Sequence, residues 1–424
     1  MTLIGQTLTN PVLSILPAMP VFALIILLLN ACSSWDDPLR YPARKTPIPA
    51  ALIRQQEVLL ELQTALDYWR VSEKITGASM SVYTPTFGQF DLASGLAKRS
   101  IDSDRFPDEV LTIGHPMFAG DLTHTLVAAL IIQLAENDEL QLDSTIEIWF
   151  PNIENANRIT VRNLLEHTSG IPVFYTDDFL DLIYEKHPTL TVHPDDVISV
   201  AAKEGSFFSP GSSYGYSKTN YLVLGRIVEM VTANDLETEL QTRFFTPLEI
   251  SDTYLGGRKA IPAGIPLGYE YTGEGTNAPT AIDGHVPQTP DIAAVSAEWA
   301  SGGLVTTSRD VITIVRTIFE SSNFSDISRE MLLVADHPAQ ASETARVDSG
   351  AGVFTWIQNG QRVVGQFGFI YPFSAQFTYW PESKTVIAVI ANEVDSSRNP
   401  DSNFQLPVIE DLTREAKLIL DSQQ

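Results

Sequence analysis

Strand-forming segments lie at both ends of this chain and helix-forming ones fill its middle, an order that leaves few folds open. Ala78–Thr84 and Gly88–Ala93 read as early strands. Val353–Gln358, Arg362–Phe367, Ala375–Trp380 and Thr385–Ala391 read as four late ones. The pairs Asn359-Gly360 and Glu382-Ser383 supply turns for an antiparallel meander. Between the two groups the spacing is helical. Leu122, Leu126, Ala129, Leu130, Gln133 and Leu134 mark mainly apolar positions along one helix face. Further helices are expected over 220–232 and 236–245, the second stopped by Pro247. Thr307 and Asp310 stand at capping-box spacing where Gly302–Asp310 turns into another helix. Helices at Ala51–Arg70 and Val408–Leu420 bracket the whole. The expected class is therefore α/β (α+β), an antiparallel sheet flanked by N- and C-terminal helices. One discontinuous lobe would take about residues 50–112 and 295–424, with a mainly helical lobe, about 113–294, inserted into it.

Length and composition fit that picture. The 424 residues suffice for one large domain or two lobes sharing a core, and 44% are apolar. Asp and Glu number 52 against 27 Lys and Arg, a net charge of -25. No nucleic-acid partner is expected, because phosphates demand Lys/Arg clusters.

Residues 1–31 carry no charged side chain and contain an apolar run from Val21 to Leu29. The run has the length of a signal-peptide core rather than of a spanning helix. Cys32, the single cysteine, follows it directly after Asn30-Ala31, so no intrachain disulfide can form. This arrangement resembles a bacterial lipobox, in which the thiol takes a lipid and becomes the mature N-terminus. Missing Lys and Arg before the run, and Asn30 itself, depart from that pattern. An uncleaved anchor over residues 11–29 is the alternative, and Pro17 and Pro20 fit it badly. The expected order is a signal peptide over 1–31 and a lipidated Cys32 with a tether over 32–49. Pro38, Pro42, Pro47 and Pro49 stiffen that tether.

Several segments carry a family resemblance. Phe118-Ala-Gly-Asp-Leu-Thr-His-Thr-Leu126 is followed by Ile159-Thr-Val-Arg-Asn-Leu-Leu-Glu-His-Thr-Ser-Gly-Ile-Pro172. Phe208-Ser-Pro-Gly211, Tyr216-Ser-Lys-Thr-Asn-Tyr221, Pro247-Leu248 to Thr253-Tyr254, Gly302-Gly-Leu-Val305 and Gly365-Gln-Phe-Gly-Phe369 come next, in order. Over about residues 60–393 the chain resembles the serine β-lactamase and penicillin-binding-protein hydrolases. The resemblance implies a β-lactamase/transpeptidase-like fold and a site in the bacterial cell envelope, facing the periplasm.

That family's chemistry rests on three motifs. A Ser-x-x-Lys pair opens a helix, with both side chains on one face. The serine attacks a carbonyl while the lysine and the tyrosine of Tyr-x-Asn move its proton. A Lys/His-Thr/Ser-Gly strand holds the substrate carboxylate, and backbone N–H groups stabilise the oxyanion. Here all three motifs differ. Asp121 stands at the serine position and His124 at the lysine position. Tyr216 is kept, but Lys218 replaces the asparagine, and the strand reads Gln366-Phe367-Gly368.

Two readings of Asp121 stand side by side: an N-cap that complements the helix dipole, or a base paired with His124 that activates water. Beside Asp121, His124 would gain charge and its pKa would rise. A metal held by Asp121, His124 and His115 lacks a recognised ligand spacing, so neither metal nor cofactor is expected. Tyr216 is expected to pack its ring in the cleft, and Lys218, Gln366, Phe367, Gly368 and Phe369 to line it. Phe367 would make that wall more apolar, and Lys218 would attract anions. The leading expectation is a pseudoenzyme that takes a peptidoglycan fragment, a small molecule or an envelope protein in the old cleft, bound to the membrane by its lipid. A hydrolase using water activated by Asp121 and His124, and a purely structural envelope protein, are the alternatives.

Overall fold

The computed structural model describes residues 49–423, apart from 101–106, 177–178, 180–188, 258–263, 273–284, 289–290, 342–345 and 396–408. The signal segment, Cys32 and nearly all of the tether lie outside the described residues. The chain divides after Leu52, and the fold belongs to the unit from Ile53 onward.

Both ends of the chain build one antiparallel sheet of nine strands. From edge to edge these are Glu109–Val110, Gly88–Lys98, Gly77–Thr84, Thr385–Ala391, Phe373–Trp380, Gln361–Ile370, Phe354–Gln358, Arg346–Gly350 and Ala335–Ala341. An early strand and a late one meet inside it, as the third and fourth strands, where Ser81 faces Ala388. Thr385–Ala391 is buried along its whole length. A strand covered on both faces has no solvent side, which is why its sequence does not alternate. Asn359 and Gly360 sit at φ 51 and 78, the backbone a two-residue hairpin turn demands.

Each sheet face has its own core. On one, Val58, Leu62 and Leu66 of the Ala50–Ser72 helix and Leu412, Ala416 and Leu420 of the Ile409–Ser422 helix cover Met80, Val82, Ile387 and Val389. On the other, Val386, Ala388 and Ile390 join Ile312, Val315 and Ile318 and the helical middle of the chain. There the Leu122–Glu136 helix is buried on nearly every side, not along one face as its spacing suggested. A helix hydrophobic all round belongs in an interior, and this one forms the centre of the helical region. The expected 236–245 helix divides into an α turn, Leu236–Leu240, and a π turn, Gln241–Phe245.

Two close approaches position the site. The short strand Met117–Gly120 leads into the Leu122–Glu136 helix and lies against Gln361–Ile370. A Cβ on Gly368 would overlap the Ala119 carbonyl oxygen, and one on Gly120 would overlap the Phe369 backbone. Gly120 also sits at φ 52, where L side chains are strained. Elsewhere the Lys218–Thr232 helix meets the Ile292–Gly302 helix at Gly225, where an added Cβ would stand 2.5 Å from that of Ala300. Next to Ala300 the second helix kinks at Trp299, with φ 29 and ψ -106.

Gly368→Ala must push Met117–Gly120 away from the sheet. Overpacking of this kind costs about 1–3 kcal/mol. A lowered midpoint in urea unfolding, with the slope unchanged, is the expected outcome; wild-type stability would show that the two backbones do not touch as described.

Candidate functional site

Asp121 is the residue before the Leu122–Glu136 helix, at φ -67 and ψ 0, and its side chain accepts no capping bond. Asp121 thus holds the N-cap position expected of it, but its carboxylate makes no capping bond and is engaged by two other groups. Lys218 Nζ lies 2.8 Å from Oδ1, an ion pair without directional hydrogen-bond geometry. The Tyr216 hydroxyl donates to Oδ2 at 3.1 Å. Lys218 itself opens its helix, where the positive end of the macrodipole makes an ammonium unwelcome. Carboxylates offset that cost. Beyond Asp121, Lys218 Nζ also donates to Glu298 Oε2 at 3.0 Å, and Ser301 Oγ donates to the same oxygen at 3.1 Å. The Gly225 crossing and the Trp299 kink bring Glu298 there.

Little water reaches this cluster: the side chains of Asp121, Lys218 and Glu298 are 14%, 8% and 4% exposed. One ammonium cannot neutralise two buried carboxylates, and an uncompensated charge in such a place costs several kcal/mol, on the order of the whole stability of a domain. A proton therefore stays. Burial, reinforced by the neighbouring Asp121 charge, pushes the Glu298 carboxyl well above its ordinary value of 4.5. Burial also raises Asp121, while Lys218 and the Tyr216 hydroxyl pull it back. Glu298 is the more deeply buried of the two and holds the proton.

His124 corrects a second expectation. Its ring stacks on Tyr221, centroids 3.8 Å apart and 9° from parallel, and is fully buried. Burial, with His167 and Lys218 nearby, pushes its pKa well below 6.5, countered in part by the Ser301 backbone. The imidazole is neutral, the opposite of the imidazolium that the i, i+3 spacing from Asp121 suggested. The only bond between the two residues that the fold makes regular is the backbone one, His124 N to Asp121 O at 2.9 Å. His115, the third residue of the conceivable metal set, is engaged with Thr112 and Glu109. Among the described residues no group of three or more His, Cys, Asp or Glu is placed to hold a metal ion.

The other cleft positions fall into two kinds. Tyr216 lies 4.6 Å from His167 and 6.5 Å from Phe354, ring to ring, and burial raises its phenol well above 10. A phenol so shifted is no base at neutral pH. Gln366 is buried: its Nε2 donates to Gly352 O at 3.2 Å and its Oε1 accepts from Phe367 N at 3.0 Å. Phe367 packs on Trp356 and Phe354, with centroids 5.3 and 6.0 Å away. Phe369 projects outward, 46% exposed. A cavity of about 210 Å³ lined by Trp149, Ile198 and Met230 touches none of these groups.

Sequence reasoning missed Glu298 and His167. Glu298 is the only charged residue between Asp291 and Arg309, and a lone charge in an apolar run is a signal for a buried ion pair. His167, at φ 54, accepts from Ser217 N at 3.2 Å, and burial drives its pKa down to about 3.

The protonation of Glu298 makes a pH prediction. A carboxyl raised on folding binds more proton in the folded state, so its contribution is complete below about pH 4.5 and is lost as pH rises toward its folded value. Glu298→Gln fixes the neutral form. Urea unfolding from about pH 5 to 8 should show the variant gaining on wild type by up to about 1.4 kcal/mol per pH unit. Parallel pH profiles would mean that Glu298 is charged in the folded protein.

The geometry agrees with comparisons to known proteins. A β-lactamase family profile matches residues 114–407, more than half of the chain. Penicillin-binding protein 4 of Amycolatopsis lactamdurans is 29% identical over 195 residues, 44% of this chain and 46% of that protein. Penicillin-binding protein 4* of Bacillus subtilis is 22% identical over 283 residues, 65% of this chain and 60% of that one. The chain thus spans about half the length of these curated relatives. In three dimensions it is similar to D-amino acid amidase from Ochrobactrum anthropi, with a TM-score of 0.74 at 22% identity, covering 87% of this chain and 100% of the amidase. The octameric penicillin-binding protein homologue of Pyrococcus abyssi gives 0.70 at 22% identity, covering 86% and 77%. Family match, sheet topology and motif order agree: this chain belongs to the β-lactamase family.

Proposed function

We propose that this protein is a pseudoenzyme of the bacterial cell envelope, a β-lactamase-family fold that performs no acyl-enzyme chemistry. One observation carries the reading: the residue at the nucleophile position is a carboxylate tied by one oxygen to Lys218 and by the other to Tyr216. A carboxylate attacking an amide would have to form an anhydride, an unfavourable product. Its role as a base for water is also poorly served, since His124 is neutral, buried and stacked on Tyr221. At position 366 the strand offers no cation for a substrate carboxylate, because Gln366 is neutral and engaged with the backbone of Phe367 and Gly352. What the rim does offer is aromatic surface at Phe369 and Phe367, suited to a peptidoglycan fragment or an envelope protein with an apolar contact. Similarity to envelope penicillin-binding proteins supports an extracytoplasmic site, and Cys32 after its apolar run supports a lipid anchor.

Incubation with a fluorescent penicillin should leave no labelled band on a denaturing gel, and nitrocefin should be hydrolysed no faster than in buffer. A covalent label would overturn the proposal and require another nucleophile. The anchor is tested apart from this. Cys32→Ser should move the protein out of the detergent phase in a partition assay, whereas unchanged partition would point to an uncleaved helix.

A further inference from the structure

We infer that Lys218 and Asp121 form an intramolecular isopeptide bond, a covalent amide between Nζ and Cγ that Glu298 promotes. The inference goes beyond the proposed function, which stands whether or not the bond forms.

Three features of the cluster point to it. First is position. Lys218 Nζ lies 2.8 Å from Asp121 Oδ1 and 3.0 Å from Glu298 Oε2, so amine, acid and proton carrier are held in contact, as a reaction between them requires. Oδ1 receives no directional hydrogen bond, while Oδ2 is held by the Tyr216 hydroxyl at 3.1 Å. The two oxygens are thereby distinguished: Oδ2 is polarised as the carbonyl, and Oδ1 is free to leave. Second is rigidity. Asp121 is fixed where Gly120 meets the Phe369 backbone, Lys218 heads one helix and Glu298 sits beside the Trp299 kink of another. Third is exclusion of water. The ring of Tyr175 lies 5.7 Å from Nζ, and none of the three reacting side chains is more than 14% exposed. A condensation that releases water is favoured where water is scarce and the reactants cannot separate.

The step balances without any outside reagent. One proton passes from the Lys218 ammonium to the Asp121 carboxylate, replacing two buried charges by a neutral amine and a neutral acid. The Nζ lone pair then attacks Cγ. Glu298 accepts a proton from Nζ and delivers its own to Oδ1. The Cγ–Oδ1 bond breaks, water departs and the amide remains, with Glu298 in its starting protonation state.

A second lysine–aspartate contact shows what the site adds. Lys417 Nζ lies 2.6 Å from Asp421 Oδ2, yet Asp421 is 41% exposed and the two are neighbours on one helix. Among the described residues no glutamate bridges that pair, and its carboxylate stands open to water although the lysine is buried. Proximity and a buried lysine are shared by the two pairs; a buried aspartate and the third carboxyl are not.

Intact mass under denaturing conditions decides the matter on the wild-type chain, independently of whether any variant folds. The folded protein should weigh about 18 Da, one water, less than its processed sequence requires. Protease digestion should yield one branched peptide joining the segments around residues 121 and 218. Lys218→Arg keeps the ion pair but replaces the nucleophilic amine, so it should show the full sequence mass. Glu298→Gln should cut the cross-linked fraction severalfold. A wild-type protein that keeps its full mass after a day folded at 37 °C overturns the inference, and so does a mass deficit that persists in Lys218→Arg. Penicillin labelling and nitrocefin turnover are unaffected by either outcome, so failure here is distinguishable from failure of the pseudoenzyme reading.

Discussion

A single buried ammonium facing two carboxyls organises the centre of this molecule. Lys218 heads a helix whose own dipole opposes it, and only the Asp121 carboxylate and the acceptor oxygen of Glu298 make that position tolerable. Each of the three residues comes from a different segment, and each segment is held by a separate packing device. Gly120 and Gly368 bring the start of one helix onto the sheet, and Gly225 brings two other helices together. Electrostatics and packing therefore depend on one another here. The charges are affordable only at these distances, and the distances exist only because three glycines let backbones approach.

The cluster joins segments far apart in the chain. Lys218 reaches Asp121 from the start of one helix, and Tyr216, two residues before it, holds the other carboxylate oxygen. His124 is a core residue stacked on Tyr221. Gln366 is closed onto the backbone of Phe367 and Gly352. These contacts share one direction: the polar groups here turn toward each other.

Much of the architecture was legible in the sequence. Turn residues marked the late strands, and Thr307 caps its helix as its spacing suggested, accepting from Asp310 N at 3.1 Å. The outer strand Ala335–Ala341 was not legible, because its residues, Ala-Asp-His-Pro-Ala-Gln-Ala, carry neither alternation nor apolar character. An edge strand needs little of either. At the site, the altered motif positions were plain, but their partnerships were not. Spacing of three residues placed His124 beside Asp121 on paper; a carboxylate rotated toward Lys218, almost a hundred positions away, is a tertiary fact that local spacing cannot carry. Glu298 had a signal, its isolation among apolar neighbours, without a hint of what it would meet.

The sharing of Lys218 between two carboxyls also shapes how this sequence can change. Replacing Asp121 by serine would leave the lysine matched to Glu298 alone; replacing Lys218 would strand both acids; replacing Glu298 by an apolar residue would expose Ser301 and the helix kink to an empty space. No member of the trio can be exchanged without altering what the other two require. Change at this cluster therefore runs through coordinated replacements rather than through one substitution at a time.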